Sequence, residues 1–215
     1  MPLRIGAACA HQLAQYGVHL CLTYSTNPIA VNGLNNRRNS THQVDEIDAQ
    51  HGQRPDILIS NAEYGKRVPN VLDISLEEFD HMLNINLRAS FILVKGVVEH
   101  MKAQRWGRIV SMSSIAASGG GINGCNYAAS KGGLSGMMEN LYTRLASCNI
   151  SVSDVTPAMI GDAGMVPSAM AIPGIASDIP LGRLGPPEET ANVVTMLVKT
   201  GYMTGQSVLL AGGSK

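Results

Sequence analysis

Residues 107–131 read GRIVSMSSIAASGGGINGCNYAASK, and they decide the fold prediction for the whole chain. The apolar and β-branched residues within 108–112 predict a short strand. Serines and a glycine-rich loop at 119–121 then lead into a helix that carries Tyr127 and Lys131. Because these two residues are four apart, they lie one turn from each other on the same face of that helix.

The Tyr127–Lys131 pair predicts acid–base chemistry. A nearby ammonium favours the ionised form of a phenol, so we expect Lys131 to lower the pKa of Tyr127. A lowered pKa would make Tyr127 a general acid or base near neutral pH. A tyrosine and a lysine at this spacing also occur by chance on many helices, so the pair alone is a weak motif.

Composition indicates a single soluble globular domain spanning residues 1–215, with 45% hydrophobic and 15% charged residues. The 16 basic residues balance the 16 acidic ones, so neither nucleic acid nor an anionic membrane is an expected partner. No long apolar run or signal peptide is evident, and a cytoplasmic location is expected. The cysteines are scattered and predict neither a metal site nor disulfides: Cys9, Cys21, Cys125 and Cys148.

Predicted strands and helices alternate along the chain. Strands are predicted at 18–24, 56–60, 108–112, 150–155 and 207–210, and helices at 6–16, 40–50, 86–104, 127–147 and 187–198, with a further helical segment from Ser75. Residues 158–186, rich in Pro, Gly and Met, predict a mobile flap. Short apolar strands between amphipathic helices indicate an α/β fold, in which a parallel sheet is covered on both faces.

Polar residues follow several of these strands. In parallel sheets of this kind, ligands bind beyond the carboxyl ends of the strands. Asn61, Ser114 and Pro157 all lie at such ends. We therefore expect a functional site at this edge of the sheet.

The spacing of these residues resembles that of the short-chain dehydrogenase/reductase family, in the form with an Asn-Ser-Tyr-Lys tetrad. Ser114 lies thirteen residues before Tyr127, and Asn86 lies twenty-eight before Ser114. The resemblance covers nearly the whole chain from Gly6 and includes Asn61-Ala62, Pro157 and the tail YMTGQSVLLAGG. The segments RIGAACAHQLAQYG, GRLGPPEE and YMTGQ are most similar to 3-oxoacyl-[acyl-carrier-protein] reductases.

The resemblance implies a role for each member of the tetrad. Tyr127 would donate a proton to a carbonyl oxygen as hydride arrives from a nicotinamide, and Ser114 would hydrogen-bond that carbonyl. Lys131 would lower the pKa of Tyr127 and hold the nicotinamide ribose hydroxyls. Asn86 would anchor a water of a proton relay; the alternative is a purely structural amide.

The resemblance also implies a set of cofactor-binding residues besides Tyr127 and Lys131. Gly6 would be the surviving glycine of the dinucleotide motif, and Asn61 with Ala62 would lie on the adenosine side. Pro157 and the backbone of Ile160 would meet the nicotinamide carboxamide. The implied fold is a Rossmann-like, doubly wound, three-layer parallel sheet.

The end of the second strand of the family's sheet bears on cofactor choice. An acidic residue there would bind the ribose 2′-hydroxyl and repel a 2′-phosphate. Tyr24, Ser25, Thr26 and Asn27 are all neutral. NADP(H) is therefore preferred, with NAD(H) as the alternative; these residues are also ordinary turn formers.

The sequence departs from the family pattern in three places. The chain begins MPLRIG, so the first strand and most of the TGxxxGxG turn are absent. NGLNNRRN stands where the third strand is expected, and Glu63 stands where the family has glycine, near the cofactor phosphates. We expect either a truncated form of an active reductase or a degenerate member that binds cofactor poorly.

The predicted activity is NADPH-dependent reduction of a carbonyl, in a 3-oxoacyl thioester or a related ketone, to a secondary alcohol. The alternatives are a sugar or secondary-alcohol dehydrogenase of the same family, or a non-catalytic binding or regulatory subunit. By resemblance, the helices at 86–104 and 127–147 would pair subunits into a homodimer or homotetramer.

Overall fold

The computed structural model describes residues 5–21, 40–119, 121–161, 163, 174 and 176–214. The strands are β1 (Ile57–Ser60), β2 (Gly107–Met112), β3 (Ile150–Pro157) and β4 (Ser207–Leu210). The helices are α1 (Ile5–Ala14), α2 (Ser40–His51), α3 (Leu76–Leu83), α4 (Ala89–Gln104), α5 (Ala116–Gly119), α6 (Cys125–Leu145) and α7 (Pro187–Lys199). A π-helical turn, Asn84–Arg88, joins α3 to α4.

The four strands form one parallel sheet in the order β1-β2-β3-β4. Successive residues of β2 point to opposite faces, so Val110 joins one core and Ile109 the other. The Val110 side packs against α1 and α7, and the Ile109 side against α2, α4 and α6. The predicted three-layer, doubly wound architecture is therefore confirmed.

Local signals in the sequence explain where several helices begin and end. The Ser75 hydroxyl accepts a hydrogen bond from the backbone N–H of Glu78 at 3.2 Å, which caps the start of α3. Gly52 follows α2 with a φ of +67°, a conformation that a side chain would strain. Pro187 occupies the first turn of α7, where its missing N–H is tolerated.

The predicted strand at 18–24 is wrong over its described part, because residues 18–21 form no regular structure. Residues 22–24 lie outside the described residues, as do Ser25 and the NGLNNRRN segment. Within the described part of the chain, the sheet has four strands and none precedes β1. These strands are the ones predicted from residue 56 onward.

Two further predictions are modified. The glycine-rich loop expected at 119–121 is entered by the short helix α5, which ends at Gly119. Much of the predicted flap at 158–186 lies outside the described residues, so its mobility stays a prediction. No helix in the described segments combines the length and hydrophobicity needed to cross a bilayer.

Candidate active site

The predicted site residues come together where β1 and β2 end. Ser114 follows β2 by two residues, and α6 returns over the same edge with Tyr127 and Lys131 in its first turns. The Lys131 ammonium donates a hydrogen bond of 2.7 Å to the carbonyl of Met112, the last residue of β2. This bond fixes the helix against the strand end.

Lys131 is buried and its charge is compensated locally. Lys131 is only 1% exposed. Its Nζ lies 2.8 Å from the Oε2 of Glu63. A buried ammonium without such a partner would be strongly destabilising. Glu63 and the Met112 carbonyl therefore make burial of this cation tolerable.

Tyr127 is also buried, and its hydroxyl donates to the same Glu63 oxygen at 3.3 Å. Burial and the negative charge of Glu63 raise the pKa of Tyr127 well above that of an ordinary tyrosine, and a hydrogen bond with the Ser114 side chain lowers it only in part. The net shift of the Tyr127 pKa is therefore upward, opposite to the lowered pKa expected from Lys131, because burial and Glu63 outweigh any lowering. The phenol stays protonated at neutral pH.

The two neighbouring serines have separate roles. Ser113 Oγ is buried and lies 2.9 Å from Ser135 Oγ, away from the tyrosine. The Ser114 hydroxyl accepts the backbone N–H of Ala116 at 3.2 Å and also hydrogen-bonds Tyr127. The structure thus places Ser114, and not Ser113, beside the phenol, as the spacing predicts.

Asn86 lies in the π-helical turn and is 1% exposed. Its amide exchanges two hydrogen bonds with the backbone of Tyr64, 2.8 Å to the N–H and 2.9 Å to the carbonyl. It also donates to the Ser130 hydroxyl at 3.0 Å. These contacts favour the structural-amide alternative, and a water relay stays a prediction.

Gly6 and Asn61 lie against each other beside the end of β1. A Cβ at position 6 would come within 2.7 Å of the Asn61 side-chain nitrogen, so only glycine fits without a shift. The N-terminus of α1 consequently lies at the carboxyl edge of the sheet, where Ala62 is exposed. Helix N-termini favour anions, so these residues fit the phosphates of a dinucleotide.

Pro157 ends β3, and backbone hydrogen bonds fix the chain that follows it. Ile160 is buried and forms a parallel bridge with Gly185. Gly161 donates to the Gly185 carbonyl at 3.0 Å, and Gly185 donates to the carbonyl of Met159 at 3.0 Å. The backbone at Ile160 is thereby held near the edge where Tyr127 lies.

The sequence prediction missed the contact that Glu63 makes. A position near the cofactor phosphates was expected, whereas the carboxylate lies against Lys131 and Tyr127. It also missed Asp154, a buried carboxylate in β3 that accepts the Ser135 hydroxyl at 2.9 Å. A charged residue within the otherwise uncharged run ISVSDVTP was the available signal for this second residue.

The chain is similar to known proteins over most of its length. A family model described as Enoyl-(Acyl carrier protein) reductase matches residues 4–215. The 3-oxoacyl-[acyl-carrier-protein] reductase FabG of Rickettsia bellii is 33% identical, covering 97% of this chain and 91% of that protein. The 3-oxoacyl-[acyl-carrier-protein] reductase FabG of Thermotoga maritima is 36% identical, and the match spans 82% of this chain and 72% of the Thermotoga protein.

A solved structure has the same fold. The structure titled "ElxO with NADP Bound" superposes with a TM-score of 0.86 and covers 98% of this chain and 94% of its own. Its sequence is 21% identical, so this likeness concerns the fold alone.

Proposed function

Because this chain belongs to the short-chain dehydrogenase/reductase family, and so to the NAD(P)-dependent oxidoreductases acting on CH–OH and C=O groups, we propose that it reduces a 3-oxoacyl thioester or a related ketone to a secondary alcohol with NADPH. The observation that carries the proposal is the convergence of Ser114, Tyr127 and Lys131 at one strand end. The FabG relatives support the acyl thioester as substrate class.

In this proposal Tyr127 donates its proton to the carbonyl oxygen of the substrate. The raised pKa of Tyr127 keeps the phenol protonated at neutral pH, which is the form that a proton donor needs. Ser114 hydrogen-bonds the same carbonyl oxygen and orients it toward the phenol. The ammonium of Lys131 stabilises the tyrosinate that remains after proton transfer.

The chain's residues fit a nicotinamide dinucleotide along the carboxyl edge of the sheet. The N-terminus of α1 at Gly6, with Asn61 and Ala62, would hold the phosphates and the adenosine side. Lys131 and Tyr127 would hold the nicotinamide ribose hydroxyls, and Pro157 with the Ile160 backbone the carboxamide. The bound nicotinamide supplies the hydride.

NADP(H) is the preferred cofactor in this proposal, and NAD(H) is the alternative. The neutral segment at 24–27, which includes Ser25, lacks the carboxylate that would repel a 2′-phosphate. A structure of the same fold carries NADP.

A non-catalytic binding or regulatory subunit is the second candidate, and one observation favours it. Glu63 engages both Tyr127 and Lys131, the groups that reduction would use. A sugar or secondary-alcohol dehydrogenase would share the same site and differ only in substrate.

The assembly in this proposal is a homodimer or homotetramer in the cytoplasm. The surface of α4 and α6 carries a groove lined by apolar side chains, among them Leu83, Leu87, Phe91 and Met137. Phe91 is 54% exposed. Light scattering on the purified chain measures the number of subunits, and a monomer would contradict this part of the proposal.

The function is tested by following NADPH consumption with 3-oxoacyl thioesters and simple ketones, and NADPH formation from NADP⁺ with sugars and secondary alcohols. Consumption with the thioesters that is lost in Tyr127→Phe supports the reductase. Turnover only of sugars or secondary alcohols supports the dehydrogenase. Binding of cofactor without turnover of any substrate supports the non-catalytic subunit.

A further inference from the structure

One carboxylate oxygen contacts both reactive groups of the site. Glu63 Oε2 lies 2.8 Å from the Lys131 ammonium and accepts the Tyr127 hydroxyl at 3.3 Å. The Glu63 side chain is 25% exposed, whereas that of Lys131 is 2% exposed. Glu63 therefore has a route to solvent that its two partners lack.

The contact to Tyr127 excludes a substrate in the same place. A phenol has a single O–H to donate, and in this structure it is directed at Glu63. Any carbonyl that receives this proton must replace Glu63 as the acceptor of the Tyr127 hydroxyl. Catalysis by Tyr127 and the observed contact cannot coexist.

The contact to Lys131 opposes binding of an anionic cofactor. The carboxylate neutralises the buried ammonium and occupies one of its three donor positions, while the Met112 carbonyl occupies another. A ligand whose hydroxyl groups accept hydrogen bonds from the Lys131 ammonium must compete with Glu63 for these N–H donors. A carboxylate left nearby would also repel the phosphates of that ligand.

The backbone around Glu63 is fixed, so the change is confined to a side chain. The next residue, Tyr64, has both its backbone N–H and its carbonyl bonded to the buried amide of Asn86. Among the described residues, the side-chain contacts of Glu63 that rotation toward solvent would break are those to Lys131 and Tyr127. A rotamer change of a partly exposed side chain needs no rearrangement of the fold.

We infer that Glu63 is a further residue of the cofactor site, which sets NADPH affinity by competing for Lys131 and Tyr127 and withdraws when the cofactor binds. This inference rests on the proposed function, since it takes NADPH as the ligand. Glu63 stabilises the free protein and weakens the complex, and these opposite effects distinguish it from a purely structural residue.

The test combines two measurements on Glu63→Gln, which keeps the size of the side chain and removes its charge. NADPH binding, followed by fluorescence titration, is expected to tighten about tenfold. The melting temperature without NADPH is expected to fall by about 2–6 °C, because the buried ammonium loses its counter-charge. Glu139→Gln, an exposed substitution on the same helix as Lys131, is expected to change neither quantity.

Unchanged or weaker NADPH binding by Glu63→Gln overturns the inference. If this variant does not fold, Glu63→Ala is titrated in its place, with the same expected tightening and the same refuting result. Should wild type consume NADPH in the carbonyl assay while the variant binds no tighter, the inference alone fails. Should neither wild type nor variant bind NADPH, the inference and the proposed function fail together.

Discussion

The side-chain amide of Asn86 lies 3.0 Å from the hydroxyl of Ser130, the residue before Lys131. The same amide bonds the backbone of Tyr64, the residue after Glu63. One buried side chain in the π-helical turn therefore connects the two segments that bring the carboxylate and the ammonium together. Unusual helical turns of this kind are frequent at functional sites.

Replacing Asn86 with Ala should destabilise the fold. The backbone groups of Tyr64 would lose their partners in a partly buried place, at a cost of about 1–3 kcal/mol. For a chain of this size that lowers the melting temperature by roughly 2–4 °C per kcal/mol. Calorimetry measures the shift, with exposed Asn140→Ala as the control. An unchanged melting temperature would contradict the structural role and favour the relay.

Replacing Tyr127 with Phe should remove reduction, while NADPH stays bound through Lys131 and the other cofactor contacts. Loss of a positioned general acid lowers kcat by roughly 10²–10⁴-fold. The matched control is Tyr142→Phe, which removes a hydroxyl from the same helix at a half-buried position. Steady-state kinetics and NADPH titration separate the two effects, and residual activity near the wild-type rate would exclude Tyr127 as the donor.

The raised pKa of Tyr127 sets the pH dependence of the reaction. Burial first, and Glu63 second, keep the phenol protonated beyond the ordinary tyrosine pKa of about 10. The rate of carbonyl reduction should therefore not fall through deprotonation of Tyr127 below that pH. In Glu63→Gln the carboxylate charge is gone from the free protein, so the alkaline limb of kcat/KM for NADPH, which reports the free protein, should move to lower pH. A limb at the same pH in both proteins would contradict the contribution of Glu63.

The raised pKa of Tyr127 should also make the stability of the fold depend on pH. The unfolded chain loses the phenolic proton near pH 10, whereas the folded chain holds it to higher pH. Tyr127 thus contributes stability that is present below about pH 10 and is lost as the pH rises further. Melting temperatures across the alkaline range should fall more steeply for wild type than for Tyr127→Phe; equal slopes would argue against the raised pKa.

A methyl group at position 6 should weaken cofactor binding. In Gly6→Ala the new Cβ would lie 2.7 Å from the Asn61 nitrogen, so the start of α1 or the amide must shift. We expect the Kd for NADPH to rise by about tenfold, equivalent to roughly 1.4 kcal/mol. Gly136→Ala, whose Cβ meets no atom within 4 Å, is the control and should leave the Kd unchanged. Equal Kd values for Gly6→Ala and wild type would remove Gly6 from the cofactor site.

Thiol reactivity should distinguish two of the cysteines. Burial raises the pKa of Cys9 to about 11 and encloses the side chain, so this thiol should resist modification at neutral pH. Cys125 is exposed at the start of α6 and should react first. Mass spectrometry of the labelled chain locates the adduct. Cys125→Ser should abolish the fast phase, and early labelling of Cys9 would contradict its burial.

Most of the helices and strands follow from local patterns in the sequence. The strand at 108–112 and the helix of Tyr127 were predicted nearly to the residue, because β-branched runs, caps and glycine stops act over a few neighbouring positions. The strand expected from residue 18 failed over its described part. Apolar alternation alone does not make a strand, because a strand also requires a partner across the sheet.

By itself, the sequence determined the order of strands and helices and the spacing of Ser114, Tyr127 and Lys131, since each depends on contacts within one segment or on its period. Only the tertiary structure decided what surrounds the phenol. Glu63 follows β1 and Lys131 lies on α6, and they meet because β1 and β2 are neighbours in the sheet and α6 crosses the end of β2. Burial and that carboxylate then reverse the direction of the Tyr127 pKa shift expected from the lysine alone.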